Sequence, residues 1–417
     1  MIDPLDPSSL SRLLRPGLRV YAAGAGGESP VLTAALAATP EAAAGVRFIG
    51  VWLPGINRCD YAGLHPQARA TAFFVGAEMR RSFAAGRVDL WPIPYSAIYA
   101  HLRDRAPIDL ALLHVSPPDA SGLVSLGTAN DFTPAILGKA RVKVAHINPL
   151  MPRTRGAAKL RLADIEHVIE APAPLLAGDA AGDEVIDAIG RRIATLLRDG
   201  DVIEVGIGRI QGVFAAFAGL RRLRIHSGAI STPLLTLAGA GAIAPDLNAI
   251  TTGIAYGNAD LYAFVRDDPR IRFATVGETH DPANLRQLER FIAINSVIEV
   301  DLFGQANAEM VDGRQVSGAG GIFDFMRGAR LSPGGRAIVA LPATARGGRV
   351  SRIVPALAAG TAVSVARGDA QIVVTEFGIA DLRELSIDGR AEALIAIAAP
   401  AFRADLETAW KDFRRRM

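Results

Sequence analysis

The sequence predicts an α/β fold: two α/β domains with mainly parallel sheets covered by helices. Short apolar runs alternate with Ala- and Leu-rich helical spacings through most of the 417 residues. Half of the residues are hydrophobic and 42 are glycine, which suits closely packed helices and sheets. The length is enough for two domains with substantial cores.

In the first half, residues 18–22, 46–49, Leu110–Val115 and Val142–Ile147 read as strands. Residues 171–183 are rich in Ala, Pro, Gly and Asp and read as a linker, which separates a domain over 1–175 from one over 184–417. Beyond it, Ile186, Ile189, Ile193 and Leu197 recur at helical spacing. Gly200-Asp201 makes a turn and Val202–Val205 a strand. Gly206-Ile207-Gly208 leads into a helix expected to begin near Gln211, and residues 223–225 form a further strand. Another strand, 297–302, precedes the run Gly318-Ala319-Gly320-Gly321, with Asp324 and Arg327 nearby.

Composition excludes several function classes. The formal charge is +3, with Lys and Arg scattered rather than gathered in a stripe, so nucleic acid is not an expected partner. Arg414-Arg415-Arg416 reads as a solvated helix end. Cys59 is the only cysteine, which excludes an intrachain disulfide and any cysteine-based metal cluster, and a buried or incidental thiol is expected there rather than a catalytic one. The first residues lack the apolar core of a signal peptide, and the uncharged window 227–245 is too broken by Ser, Thr, Pro and Gly to span a membrane. A cytoplasmic protein without membrane contact is expected.

Several constellations could carry chemistry. The Gly-Ile-Gly turn after a strand suits an anion at a helix start, yet GIGRIQG lacks the third glycine of a dinucleotide fingerprint. His226-Ser227 invites a Ser–His pair, but neighbours on a strand point to opposite faces. Glu278, Glu299, Asp301 and Glu376 are candidate carboxylates. Glu299 and Asp301 share a strand face, with Arg327 a plausible partner, and Arg383 is the plausible structural partner of Glu376.

These stretches fall in an ordered series: HVSPPDASGLVSLGTANDF (114–132), NPLMPRTRG (148–156), GIGRI, HSG, VGETHDPAN (276–284), the glycine run, ARGG (345–348) and VVTEFGIADLR (373–383). Together they resemble the acetyl-CoA hydrolase/transferase family, which includes the 4-hydroxybutyrate and acetate CoA-transferases. The resemblance implies two CoA-transferase-type domains with a cleft between them, acyl-CoA and a carboxylate as substrates, no metal or nicotinamide, and a homo-oligomer. It implies CoA contacts from Gly206, Ile207, Gly208, Arg209, Ile210, Ile298, Gly318, Gly320 and Gly321, and from Arg346 where the family commonly has lysine. It places Glu376 in the catalytic site. The family's His-Thr-Glu triplet ends in the nucleophile, whose carboxylate takes the acyl group as a mixed anhydride and then CoA as a thioester. Here that position is Gly228, and Glu278 is the nearest carboxylate to a family motif. Transfer or hydrolysis is the leading expectation. The alternative is a CoA-binding relative without transferase activity, or a subunit pairing with a glutamate-bearing partner. A glutamate introduced at 228 is expected to create or strengthen transferase activity unless the backbone there needs a positive φ.

Overall fold

The computed structural model describes residues 3–178 and 183–417, so positions 179–182 of the expected linker lie outside the described residues. The chain forms two compact units. The first comprises Met1–Asp179, Thr251–Thr279 and Val316–Gly320, and the second Ala180–Ile250, His280–Gln315 and Gly321–Met417. The division is therefore not a single cut near residue 180. Backbone hydrogen bonds hold the two later segments in the first unit: Asn130 N–H donates to Gly253 O (2.9 Å), Phe273 N–H to Arg155 O (2.8 Å) and Val75 N–H to Ser317 O (3.2 Å).

The first unit is built on an eight-stranded parallel sheet in the order Asp3–Pro4, His167–Glu170, Val142–Ile147, Leu110–Val115, Arg19–Ala22, Arg47–Gly50, Arg69–Ala72 and Val88–Leu90. Leu110–Val115 is buried at every position, as a central parallel strand covered on both faces must be. One face packs Val20, Phe48, Trp52 and Tyr61 into a core with Leu10 and Leu36.

In the second unit Arg224–Ser231, Val202–Val205, Phe291–Ser296, Arg336–Ala340 and Ile372–Thr375 follow one another, with Gly378–Asp381 antiparallel at the edge. Its core gathers Phe291, Ala293, Val339 and Val373 of the sheet with Phe325, Met326 and Ala329 of the helix Ile322–Leu331. The helix Glu184–Ala194 starts where Asp183 accepts from Ile186 N–H (2.9 Å), and buries Ile186, Ile189 and Ile193 as its spacing predicts.

Three local expectations are corrected. The strand expected over 297–302 is shorter, Glu299–Asp301, and a separate strand, Phe291–Ser296, precedes it. The chain leaves the main sheet after Ser296 and enters a three-stranded sheet with Ala306–Asn307 and Ile353–Val354. The segment after Gly-Ile-Gly is a 3-10 helix, Arg209–Phe217, entered through Gly208 at φ +85°. His226-Ser227-Gly228 lies inside the strand Arg224–Ser231 rather than after it, and Gly228 is outside the left-handed region. Among the described residues, no helix is long and apolar enough to cross a membrane.

Candidate active site

Gly228 explains itself by what stands against it. An added Cβ would lie 2.7 Å from Cε1 and 2.9 Å from Nε2 of His280. Gly321, ahead of the helix Ile322–Leu331, meets the same ring: its Cβ would lie 2.5 Å from Nε2 and 2.7 Å from Cδ2. His280 thus fills the space where side chains of 228 and 321 would begin. The Phe325 ring lies 4.3 Å from the imidazole, centroid to centroid, and Phe291 packs on Phe325 and, edge-on, on His226. Burial pushes His280 down to about 3, with His226 nearby adding to the effect, so the imidazole is neutral at physiological pH. Ser227 points away from His226, its hydroxyl donating to Ala229 O (3.0 Å), so the two make no Ser–His nucleophile.

On the adjacent strand Glu204 is buried, and Asn295 Nδ2 donates to its Oε2 at 2.6 Å. Desolvation holds this carboxyl well above the usual carboxylate range. Asn295 also accounts for Gly206, whose Cβ would meet Asn295 Oδ1 at 2.6 Å. Ile207 and Arg209 of the loop are exposed, Ile210 is buried, and Arg209 is ion-paired with Asp183.

Glu376 is anchored by Ala343, whose N–H donates to its Oε2 at 2.8 Å. Its expected partner Arg383 instead binds Asp381 with both nitrogens (2.8 and 2.6 Å). Ala343 O accepts from the N–H of Arg352 (2.9 Å), so a carboxylate and a guanidinium spring from one backbone anchor. Arg346, at φ +54°, forms an exposed ion pair with Asp312.

The remaining candidates serve the framework. Ile298 N–H donates to Asn307 O at 2.7 Å. Asn307 Nδ2 donates to Glu299 (2.9 Å), while Asp301 accepts from Phe303 N–H, Gln305 N–H and Gln305 Nε2 (3.1, 2.9 and 2.9 Å) to hold a turn. Arg327, offered as their partner, reaches Asp369 instead. In the first unit, Arg272 grips both oxygens of Glu278. There Gly318 is pressed on backbone, its Cβ position 2.0 Å from Phe73 O, and Gly320 adopts φ +62°. Asp131, also in this unit, is buried, and desolvation pushes its carboxyl up to about 7. Burial raises the Cys59 thiol above its ordinary value, which suits an unreactive side chain. Among the described residues, no group of three or more His, Cys, Asp or Glu side chains is placed to hold a metal ion.

Comparison with known proteins decides the lineage. Residues 5–177 match the acetyl-CoA hydrolase/transferase N-terminal domain, and 257–410 match the C-terminal domain. The 4-hydroxybutyrate coenzyme A transferase of Clostridium kluyveri is 36% identical over 402 residues, covering 94% of each chain. The chain belongs to the acetyl-CoA hydrolase/transferase family. Among solved structures, RipA from Yersinia pestis superposes with a TM-score of 0.91 at 28% identity, covering 99% of this chain and 98% of that one. The 4-hydroxybutyrate CoA-transferase of Porphyromonas gingivalis gives 0.79 at 29% identity, covering 100% and 98%.

For this acetyl-CoA hydrolase/transferase member, sequence reasoning missed Glu204, Arg352 and the seating of His280. A charged residue inside the apolar run Val-Ile-Glu-Val was the available signal for Glu204. His280 carried none, because its neighbours at Gly228 and Gly321 are distant in the chain.

Proposed function

We propose that this chain acts on acyl-CoA thioesters, passing CoA to a carboxylate acceptor or the acyl group to water. Full-length similarity to CoA-transferases carries this conclusion, and the hold of Ala343 on Glu376 supports a role for that carboxylate. The unanchored oxygen of Glu376 takes a proton from attacking water, or orients an incoming carboxylate, as the thioester carbonyl becomes tetrahedral. Collapse of that intermediate expels CoA thiolate, which takes up a proton when water was the nucleophile. When a carboxylate attacked, the thiolate adds to the new acyl group of the mixed anhydride and expels the original acyl group as its carboxylate. Without a carboxylate at 228, attack on the thioester is direct in this scheme. Backbone N–H groups of residues 207–210 face the CoA and the developing oxyanion. Acyl-CoA and carboxylate are the partners, in the cytoplasm where acyl-CoA pools lie, with the chain acting as a homo-oligomer.

A second reading, CoA binding without transfer, is favoured by one observation: the His280 ring occupies the space that a side chain at 228 needs. Acyl-CoA turnover measured with and without acetate separates the two. Acetate-dependent turnover means transfer and acetate-independent CoA release means hydrolysis. CoA binding without either removes the enzymatic reading.

A further inference from the structure

Several arginines of the second unit are ion-paired. Arg209 is paired with Asp183, Arg346 with Asp312 and Arg383 with Asp381. The guanidinium of Arg352 forms no ion pair or hydrogen bond with another described residue. It is nonetheless half-buried, which a guanidinium resists unless something compensates it. Its backbone is fixed on both sides: its N–H donates to Ala343 O (2.9 Å) and its carbonyl accepts from Val300 N–H (2.8 Å). The base of the side chain is therefore held in place.

The charges acting on it balance in number, but none is paired with Arg352 itself among the described residues. Its pKa lies below the ordinary value, first through desolvation, then through repulsion from Arg209, with Glu376 opposing. Glu376 already accepts one hydrogen bond from Ala343, and Asp183 answers Arg209. Two guanidinium groups and two carboxylates would balance if each were paired, but no carboxylate lies on Arg352 itself. Beside Glu376, a planar, five-donor cation waits for oxygens.

We infer that Arg352 is a substrate anchor, binding an oxyanion (a phosphate of the CoA moiety or the carboxylate of the acceptor) beside Glu376. This rests on the acyl-CoA reading above and adds to it the residue that receives the substrate's charge. An Arg–oxyanion pair is bidentate and charge-assisted, and brings the bound group next to Glu376. Arg352 is a binding group in this scheme and transfers no proton.

The test is calorimetric titration of wild type, Arg352→Gln and Arg352→Lys with CoA, inorganic pyrophosphate and acetate, together with the KM for acyl-CoA and for acetate. Arg352→Gln is expected to weaken one ligand about ten- to a hundredfold, as loss of a charge-assisted hydrogen bond does. Arg352→Lys is expected to recover part of the loss, with KM rising more than kcat falls. Loss confined to CoA and pyrophosphate assigns the anchor to phosphate, and loss confined to acetate assigns it to the acceptor. Equal affinities in folded Arg352→Gln and wild type overturn the inference and leave the acyl-CoA reading standing. Arg352-dependent binding of pyrophosphate or acetate, with no CoA binding, removes that reading and keeps the anchor. A wild type that binds none of the three overturns the inference too. Should Arg352→Gln fail to fold, Arg352→Lys gives the same comparison, since it keeps the charge and loses the fork.

Discussion

A Cβ on Gly228 would sit 2.7 Å from Cε1 of His280, closer than unbonded carbons approach. The glycine is thus a packing requirement, because its backbone is extended and outside the left-handed region. An imidazole from a distant segment fills the space that a side chain at 228 would take. Placing a carboxylate at 228 therefore needs two changes.

Gly228→Glu alone is expected to destabilise the fold by about 1–3 kcal/mol, the usual cost of overpacking, with no gain in acyl transfer. Gly228→Glu with His280→Ala removes the obstruction and is expected to show acetate-dependent turnover above wild type. Thermal unfolding and an acyl-CoA:acetate exchange assay on the three proteins check this. A single variant that is active and as stable as wild type would show that His280 yields freely.

Glu376→Gln separates chemistry from anchoring. Glutamine still accepts the Ala343 N–H, so stability should change little, whereas a carboxylate that moves a proton cannot be replaced by an amide. Turnover is expected to fall by roughly a hundred- to ten-thousandfold, in the range general acid–base groups contribute. Unchanged turnover would leave Glu376 with only its structural bond.

Asp131 makes stability depend on pH. Its folded pKa, about 7, lies above its ordinary value of 3.8, so between these the native state holds a proton that the unfolded chain has released. Its contribution is fully present below the lower value and is lost as pH rises to about 7, at up to roughly 1.4 kcal/mol per pH unit. Asp131→Asn should remove this dependence, gaining on wild type in denaturation midpoint as pH goes from 5 to 8. Parallel curves for the two proteins would mean the carboxyl is already ionised when folded.

How far the sequence could lead is visible in these residues. Strands such as Leu110–Val115 and the helix Glu184–Ala194 were legible because local apolar runs and spacings determine them. The ordered motifs made the family legible, since each is a contiguous string. His280 against Gly228 and Gly321 was not, because a packing constraint between segments leaves no local pattern. The pairing of Arg383 with Asp381, by contrast, joins residues only two apart in the chain.

The two glycines of the Gly206-Ile207-Gly208 turn are glycine for different reasons, and a mutant cycle separates them. Gly208→Ala meets nothing within 4 Å, so its cost is the φ of +85° alone, about 1–2 kcal/mol. Gly206→Ala drives a methyl into Asn295 Oδ1 and threatens the bond from Asn295 to the buried Glu204, about 1–3 kcal/mol. In an Asn295→Ala background that bond is already gone and the space is open. Gly206→Ala should then cost almost nothing, while Gly208→Ala costs what it did before. Denaturant unfolding of the single and double variants measures both couplings. A Gly206→Ala penalty that persists without Asn295 would place the constraint in the backbone of the turn, and the Asn295–Glu204 pair would have no part in shaping it.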